Sequence, residues 1–188
     1  MEFAFIAPIF FLMVFATIEF ALVMFVTVLM ESSLRDASRY GVTGQLPDGA
    51  STMAEREAHI RQLIADRTLG LIDFSDATVD ILSYPTFGDV GQGEKFVDGN
   101  GNGKYDPGET FNDCNGNGIR DDDRGAAGPG ESGAVVLYRM TYDWPLLTPL
   151  AGPIIGTDGK FPLRASIAVR NEPWNPSLDG SGPKDCNT

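Results

Sequence analysis

The sequence predicts an α+β protein in which a long N-terminal helix precedes a small domain. An apolar run at residues 3–30 contains a single ionisable residue, Glu19. A shorter helical pattern follows it, and three later segments alternate between apolar and polar residues as strands do. We therefore expect a long transmembrane or assembly helix, a second helix and a small, mostly antiparallel sheet with a polar loop insertion.

The apolar run is long enough to span a membrane. A helix crosses the hydrocarbon core with about 20 residues, whereas the apolar stretch of a signal peptide has about 7–15 behind a basic start. The first basic residue here is Arg35. The helix of a soluble protein would show a polar face. Helical spacing continues through Ala37 and Tyr40, so we expect the helix to end at Gly41.

The rest of the chain is predicted to form one α+β domain. Thr52 and Glu55 match a capping box and open a second helix that runs to about Arg67. Strands are expected at residues 77–84, 134–144 and 161–171. The resulting organisation is an assembly helix at residues 1–41, a globular domain at 42–174 with an insertion at 88–130, and a C-terminal tail at 175–188.

The net charge and the few histidines and cysteines argue against several classes of function. A net charge of −12 argues against nucleic acid as a partner. His59 is the only histidine and is expected on a solvated helix face, which leaves little material for a Ser-His-Asp triad or a histidine-rich zinc site, and we predict no enzymatic activity. Cys114 and Cys186 either form one disulfide in an oxidising compartment or remain two free thiols.

The insertion contains a repeat with a 15-residue period. Its first copy, residues 98–109, fits the twelve-residue calcium loop D-x-[DN]-x-[DN]-G-x₅-E at every defined position. Calcium takes 6–8 oxygen ligands, and Gly103 would allow the sharp turn that brings alternate side chains inward. The predicted ligands, with Lys104 acting through its carbonyl, are Asp98, Asn100, Asn102, Lys104, Asp106 and Glu109.

The second copy, residues 113–124, matches the calcium-loop pattern except for the acid at the twelfth position. Its predicted ligands are Asp113, Asn115, Asn117, Ile119 (through its carbonyl) and Asp121. The twelfth position is Arg124, although Asp122 and Asp123 lie beside it. This copy either binds calcium weakly, borrows ligands from the first copy, or has a structural role alone. The alternative for both copies is an Asn- and Gly-rich turn region without a metal.

The sequence resembles the TadE-like pilins of the tight-adherence (Tad) branch of type IV pilus systems. The resemblance is strong over about residues 1–45, looser over 134–174, and does not include the insertion. It is carried by Glu2-Phe3-Ala4, Pro8, Ile18-Glu19-Phe20, Ala37-Ser38-Arg39-Tyr40-Gly41 and Arg170-Asn171-Glu172-Pro173.

The resemblance implies a structural pilin or minor pilin. In such pilins a peptidase cuts the precursor and a glutamate near the new N-terminus promotes assembly, and Glu2 corresponds to that glutamate. Glu19 is a second assembly residue, either protonated, paired with a partner pilin or in contact with the assembly machinery. The implied partners are further copies or other pilins, and the implied location is the bacterial inner membrane and then an extracellular pilus. The alternative is a single-pass, calcium-stabilised adhesin or interaction protein outside any filament.

Overall fold

The computed structural model describes residues 2–148 and 155–173, except for the side chains of residues 2 and 4. Over these ranges it confirms the α+β prediction. The helices are α1 (Glu2–Val42) and α2 (Met53–Arg67), and the strands are β1 (Thr78–Tyr84), β2 (Ala126–Ala127), β3 (Val135–Pro145) and β4 (Lys160–Arg170).

Helix α1 runs without interruption through Pro8 and ends at Val42, one residue beyond the predicted end. Its 41 residues correspond to about 60 Å. Among the described residues it is the one helix that is long and apolar enough to cross a membrane. Among its described side chains, burial begins at Glu19 and continues along one stripe of the second half that includes Val26, Met30, Leu34 and Ala37.

Helix α2 begins at the predicted capping box. The Thr52 backbone N–H donates to the Glu55 carboxylate at 3.0 Å, and the Glu55 N–H donates to the Thr52 hydroxyl at 3.2 Å. Each side chain therefore satisfies a backbone donor that the first helical turn leaves unpaired.

The four strands form one antiparallel sheet in the order β2-β1-β3-β4. Strand β2 was not predicted, because two alanines carry no alternating pattern. It pairs with β1 through Leu82 opposite Ala127 and Ser83 opposite Ala126. Residues 126–127, which lie within the predicted insertion, therefore extend the sheet.

The chain divides into two compact units. The first comprises Met1–Ala37, Arg61–Val79 and Arg139–Ser166, and its buried residues include Met30, Leu34, Ile64, Met140 and Trp144. The second comprises Ser38–Ile60, Asp80–Tyr138 and Ile167–Thr188, and its buried residues include Ile60, Tyr84, Val135, Val136 and Tyr138. Tyr138 and Trp144 are both buried packing residues.

Candidate functional sites

The first repeat of the insertion, residues 98–109 (loop 1), is wound around the Asp98 carboxylate. That carboxylate accepts the N–H groups of Gly101 at 2.7 Å, Asn102 at 3.2 Å and Gly103 at 2.7 Å. Gly103 has a φ of +74°, a conformation that side chains other than glycine rarely adopt. The Gly103 N–H is the main cause that lowers the pKa of Asp98, and burial opposes it.

The other predicted ligands of loop 1 converge on the same space. The side-chain amides of Asn100 and Asn102 both donate to Asp106 Oδ2 at 2.6 Å. Glu109 closes the loop, because its Oε1 accepts the Gly99 N–H at 2.8 Å and its Oε2 accepts the Asp106 N–H at 3.0 Å. The Lys104 N–H donates to Asn102 Oδ1 at 2.7 Å.

The second repeat, residues 113–124 (loop 2), reproduces this winding. Asp113 accepts the N–H groups of Gly116 at 2.7 Å, Asn117 at 3.1 Å and Gly118 at 2.8 Å. The Asn115 and Asn117 amides donate to Asp121 Oδ2 at 2.7 and 2.6 Å, and the Ile119 N–H donates to Asn117 Oδ1 at 2.7 Å. Both loops thus adopt the same backbone and side-chain arrangement.

Glu94 is the counterpart in loop 2 of Glu109 in loop 1. Its Oε1 accepts the Cys114 N–H at 2.6 Å, and its Oε2 accepts the Asp121 N–H at 3.1 Å. These donors are the second and ninth residues of loop 2, the same positions that donate to Glu109 in loop 1. Glu94 is 1% exposed. The sequence prediction missed it, although Glu94 stands one 15-residue period before Glu109.

The acidic and basic residues at the end of loop 2 have other partners. Arg124, at the twelfth position, forms a buried ion pair with Asp89. Asp122 pairs with Arg120, and Asp123 accepts the Tyr84 hydroxyl at 2.7 Å. Among these neighbours only Asp121 contributes to the interior of loop 2. The twelfth position can therefore be the positively charged Arg124, which faces Asp89 instead.

A short ladder and an aromatic cluster join the two loops. Phe96 and Phe111 form an antiparallel bridge, in which the Val97 N–H donates to the Thr110 carbonyl at 2.9 Å. The Tyr105 ring lies edge-on to both phenylalanines, and the Arg120 guanidinium lies 5.2 Å from the Phe96 ring centroid. Loops 1 and 2 are therefore one paired unit (the loop pair).

Within the described residues, no three His, Cys, Asp or Glu side chains are grouped tightly enough to hold a metal ion unaided. The oxygen donors of each loop include two asparagine amides, whose nitrogens face Asp106 in loop 1 and Asp121 in loop 2. A hard cation at this point would require those amides to present their oxygens instead. Calcium binding by loops 1 and 2 remains a prediction.

The second predicted assembly residue, Glu19, has its partners in the same chain. Its Oε1 accepts the Leu147 N–H at 3.1 Å, and its Oε2 accepts the Thr148 N–H at 2.9 Å and the Thr148 hydroxyl at 3.0 Å. Glu19 is 2% exposed, and it is the first buried side chain described along α1. Its carboxylate therefore holds the connection that follows β3.

The first part of α1 exposes apolar side chains on all its faces. From residue 5 to residue 18 every side chain is exposed or half-buried, including Phe10, Phe11 and Leu12. Glu2 lies in α1, but its side chain is outside the described part of the structure, so its predicted role in assembly stays a prediction. The same holds for the pairing of Cys114 with Cys186: Cys114 is buried, whereas Cys186 is not among the described residues.

Gly41 allows a close approach that the sequence did not reveal. A Cβ atom at this position would lie 2.0 Å from the Tyr138 hydroxyl, so only glycine fits. The Gly41 carbonyl also accepts a hydrogen bond from the buried guanidinium of Arg56. Gly41 was predicted to end α1, but the helix continues past it and the residue serves for packing.

The C-terminal motif is anchored by Asn171. Its side-chain amide donates to the carbonyls of Pro129 at 3.0 Å and Glu131 at 2.9 Å, and its backbone N–H donates to the Ala134 carbonyl at 2.8 Å. The next N–H, that of Glu172, donates to the Val42 carbonyl at 3.0 Å at the end of α1. Asn171 and Glu172 therefore donate hydrogen bonds to four backbone carbonyls.

Comparison with known proteins identifies the N-terminal segment. Residues 1–39 match the family model described as TadE-like protein. These residues make up nearly all of α1, from its fully exposed first part to its buried stripe. No curated protein and no solved structure matches the chain.

Proposed function

We propose that this chain, TadE-like over residues 1–39, is a structural pilin-like subunit of a Tad or type IV-like surface filament. It inserts into the bacterial inner membrane through α1, with its globular domain outside the cytoplasm. It then packs α1 against other copies of itself or other pilins. The observation that carries this proposal is the first part of α1, which exposes large apolar side chains on every face.

The exposed apolar side chains of α1 must be kept from water both in the membrane and in the filament. Before assembly the lipid chains cover it, since a helix pairs most of its backbone groups internally. In a filament, neighbouring helices replace the lipid. The stripe that begins at Glu19 packs within the subunit, so the exposed first part of α1 supplies the surface for assembly.

Glu2 has a specific role in this proposal. In an apolar filament interior its carboxylate pairs with the N-terminal ammonium of a neighbouring subunit, because either ion alone would be costly there. Replacement by alanine leaves α1 apolar and able to insert, but removes one member of the pair. Glu2→Ala therefore gives a membrane protein that is incorporated poorly into filaments.

The test is mass spectrometry of filaments sheared from cells that carry either the wild-type gene or the Glu2→Ala variant. Recovery of the wild-type chain in the filament fraction, with the variant retained in the membrane fraction, supports the proposal. Thr43→Ala, an exposed substitution just beyond α1, is the control and should not change recovery. Wild-type chain found in membranes alone would favour the single-pass adhesin, and normal piliation by Glu2→Ala would remove Glu2 from the mechanism.

We further propose that Ca²⁺ stabilises the outward domain by binding the loop pair. Loop 1 would use Asp98, Asn100, Asn102, Asp106 and Glu109, and loop 2 would use the equivalent residues with Glu94 as its closing acid. A metal ion that binds the folded loops but not the unfolded chain stabilises the fold. If chelation and Asp98→Ala leave thermal stability and protease resistance unchanged, the calcium proposal fails while the filament proposal stands.

A further inference from the structure

The segment 94–98 connects the two loops of the loop pair. Glu94, at its start, closes loop 2, because its carboxylate accepts the N–H groups of the second and ninth residues of that loop at 2.6 and 3.1 Å. Asp98, at its end, is the first residue of loop 1 and accepts three N–H groups there. One short segment thus carries an acid of each loop.

The segment 109–113 repeats this arrangement in the opposite sense. Glu109 closes loop 1 through the N–H groups of its second and ninth residues, at 2.8 and 3.0 Å, and Asp113 is the first residue of loop 2. The two segments pair at the bridge between Phe96 and Phe111, the middle residue of each, with a backbone hydrogen bond of 2.9 Å on either side. Each segment therefore supplies one acid to each loop.

The eighth residue of each loop packs on this bridge. Tyr105, from loop 1, lies edge-on to the Phe96 and Phe111 rings, with centroids 5.7 and 5.8 Å away. The Arg120 guanidinium, from loop 2, lies 5.2 Å from the centroid of Phe96 and 5.7 Å from that of Tyr105. Packed side chains and hydrogen bonds are the contacts that carry coupling between sites, and here both kinds connect the loops.

The carboxylate of Glu94 is buried without a positively charged partner. Glu94 is 1% exposed, and it forms no ion pair with any residue that the structure describes. Backbone N–H groups are the donors to its carboxylate. A buried carboxylate is costly without a cation, so the burial of Glu94 favours a cation in loop 2 on grounds separate from the sequence pattern.

We infer that the two loops bind calcium cooperatively, so that the loop pair responds to calcium as one switch. This inference rests on the calcium binding proposed above and adds the coupling between the loops. When Asp98 is fixed by an ion in loop 1, Glu94 on the same segment is fixed with it, and the segment 109–113 is held at Glu109 in the same way. Loop 2 is then ordered before it binds, and its binding costs less conformational entropy.

The charges of the loops are compatible with this coupling. Each loop has three acids, which are Asp98, Asp106 and Glu109 in loop 1 and Asp113, Asp121 and Glu94 in loop 2. Three carboxylates outweigh the two positive charges of one Ca²⁺. An occupied loop therefore stays negatively charged, and the second ion approaches a loop pair that still attracts it.

Calcium titration of the full chain in detergent tests the inference. After treatment with a chelator, isothermal titration of the wild-type chain should give a Hill coefficient clearly above 1, with two as the maximum for two sites. Phe96→Ala removes the ring that Tyr105 and Arg120 contact but keeps every predicted ligand, so it should still bind two ions, with a Hill coefficient near 1. Val97→Ala, at the next position of the ladder and 66% exposed, is the matched control and should match the wild type.

Loss of one loop should also weaken the other. Glu94→Gln leaves loop 1 as the remaining site, and Glu109→Gln leaves loop 2. A coupling of about 5- to 150-fold between two loops of equal intrinsic affinity shifts the midpoint by its square root. Each variant should therefore need about 2- to 12-fold more calcium than the wild type for half-saturation.

The outcomes separate this inference from the calcium proposal. If the wild-type chain binds two ions with a Hill coefficient of 1, the loops are independent and the inference is wrong, while the calcium proposal stands. Unchanged cooperativity in a folded Phe96→Ala chain excludes the ladder as the connection and also overturns the inference. If Phe96→Ala does not fold, the midpoints of Glu94→Gln and Glu109→Gln decide, and midpoints equal to the wild-type value overturn it. A wild-type chain that binds no calcium ends both proposals.

Discussion

Glu19 and Thr148 are joined by two hydrogen bonds to a single carboxylate oxygen. Glu19 Oε2 accepts the backbone N–H of Thr148 at 2.9 Å and its hydroxyl at 3.0 Å. An acid in an apolar helix is costly unless it has partners, and here the partners are Leu147 and Thr148, which follow the end of β3. The acid that marks the middle of the apolar run is thus an internal contact of the subunit.

Removal of the Glu19 carboxylate should loosen the two residues that it holds after β3, Leu147 and Thr148. Glu19→Ala leaves two backbone donors unsatisfied, at a cost of about 1–3 kcal/mol each, whereas Glu19→Gln keeps one acceptor and should have a smaller effect. Limited proteolysis and thermal unfolding of the full chain in detergent measure the change. Glu31→Ala, an exposed acid on the same helix, is the control. Equal protease resistance of Glu19→Ala and the control would show that the contact contributes nothing to stability.

The close approach at Gly41 predicts a steric defect. Gly41→Ala places a Cβ 2.0 Å from the Tyr138 hydroxyl and should lower the free energy of unfolding by about 1–3 kcal/mol. Tyr138→Phe in the same chain removes the nearest atom and should restore part of the loss. The control is Gly88→Ala, whose Cβ would meet nothing closer than Thr86 Oγ1 at 3.6 Å. Additive effects of the Gly41 and Tyr138 changes would contradict the steric explanation.

Ionisation of Tyr138 should destabilise the fold at high pH. Burial raises the pKa of Tyr138 to about 12, and the Arg56 charge opposes the increase. Because the folded pKa exceeds the unfolded value of about 10, the contribution to stability is complete below pH 10 and is lost as the pH rises through 12. Unfolding midpoints measured across this window should fall. Tyr138→Phe should show a smaller decrease, and an unchanged decrease would assign the effect to other groups.

Glu94 should determine how many calcium ions bind. Under the proposed function the loop pair binds one ion in each loop, and Glu94→Gln removes the closing negative charge of loop 2 while keeping the shape of the side chain. Isothermal titration should show the ratio fall from two ions per chain to one. Asp122→Asn changes an exposed acid that faces Arg120 and should leave the ratio at two. Full binding by Glu94→Gln would exclude Glu94 as a ligand.

Local patterns predicted most of the fold. The spacing of apolar residues gave α1 and α2 to within two residues at their described ends, and the Thr52–Glu55 box marked the start of α2 because a capping box acts within one helical turn. Strands β1, β3 and β4 lie within one residue of their predicted bounds. Strand β2 was missed because its two alanines depend on Leu82 and Ser83 for pairing, and nothing local encodes that contact.

The candidate sites were predicted less completely. The calcium-loop pattern identified residues that are close in sequence, but Glu94 lies before loop 1 and completes loop 2, so a search inside each repeat could not find it. Glu19 was identified as unusual, yet its partner Thr148 lies 129 residues away. Contacts of this range follow from the tertiary packing, which periodicity and motif spacing do not describe.

The two ends of the insertion lie side by side. The Glu94 N–H donates to the Asp121 carbonyl, and the Arg124 N–H donates to the Gln92 carbonyl, both at 2.9 Å. The chain therefore leaves the domain and returns to it at nearly the same point, as inserted modules commonly do. An insertion whose ends are adjacent can change in length or sequence without a shift in the register of the strands beside it.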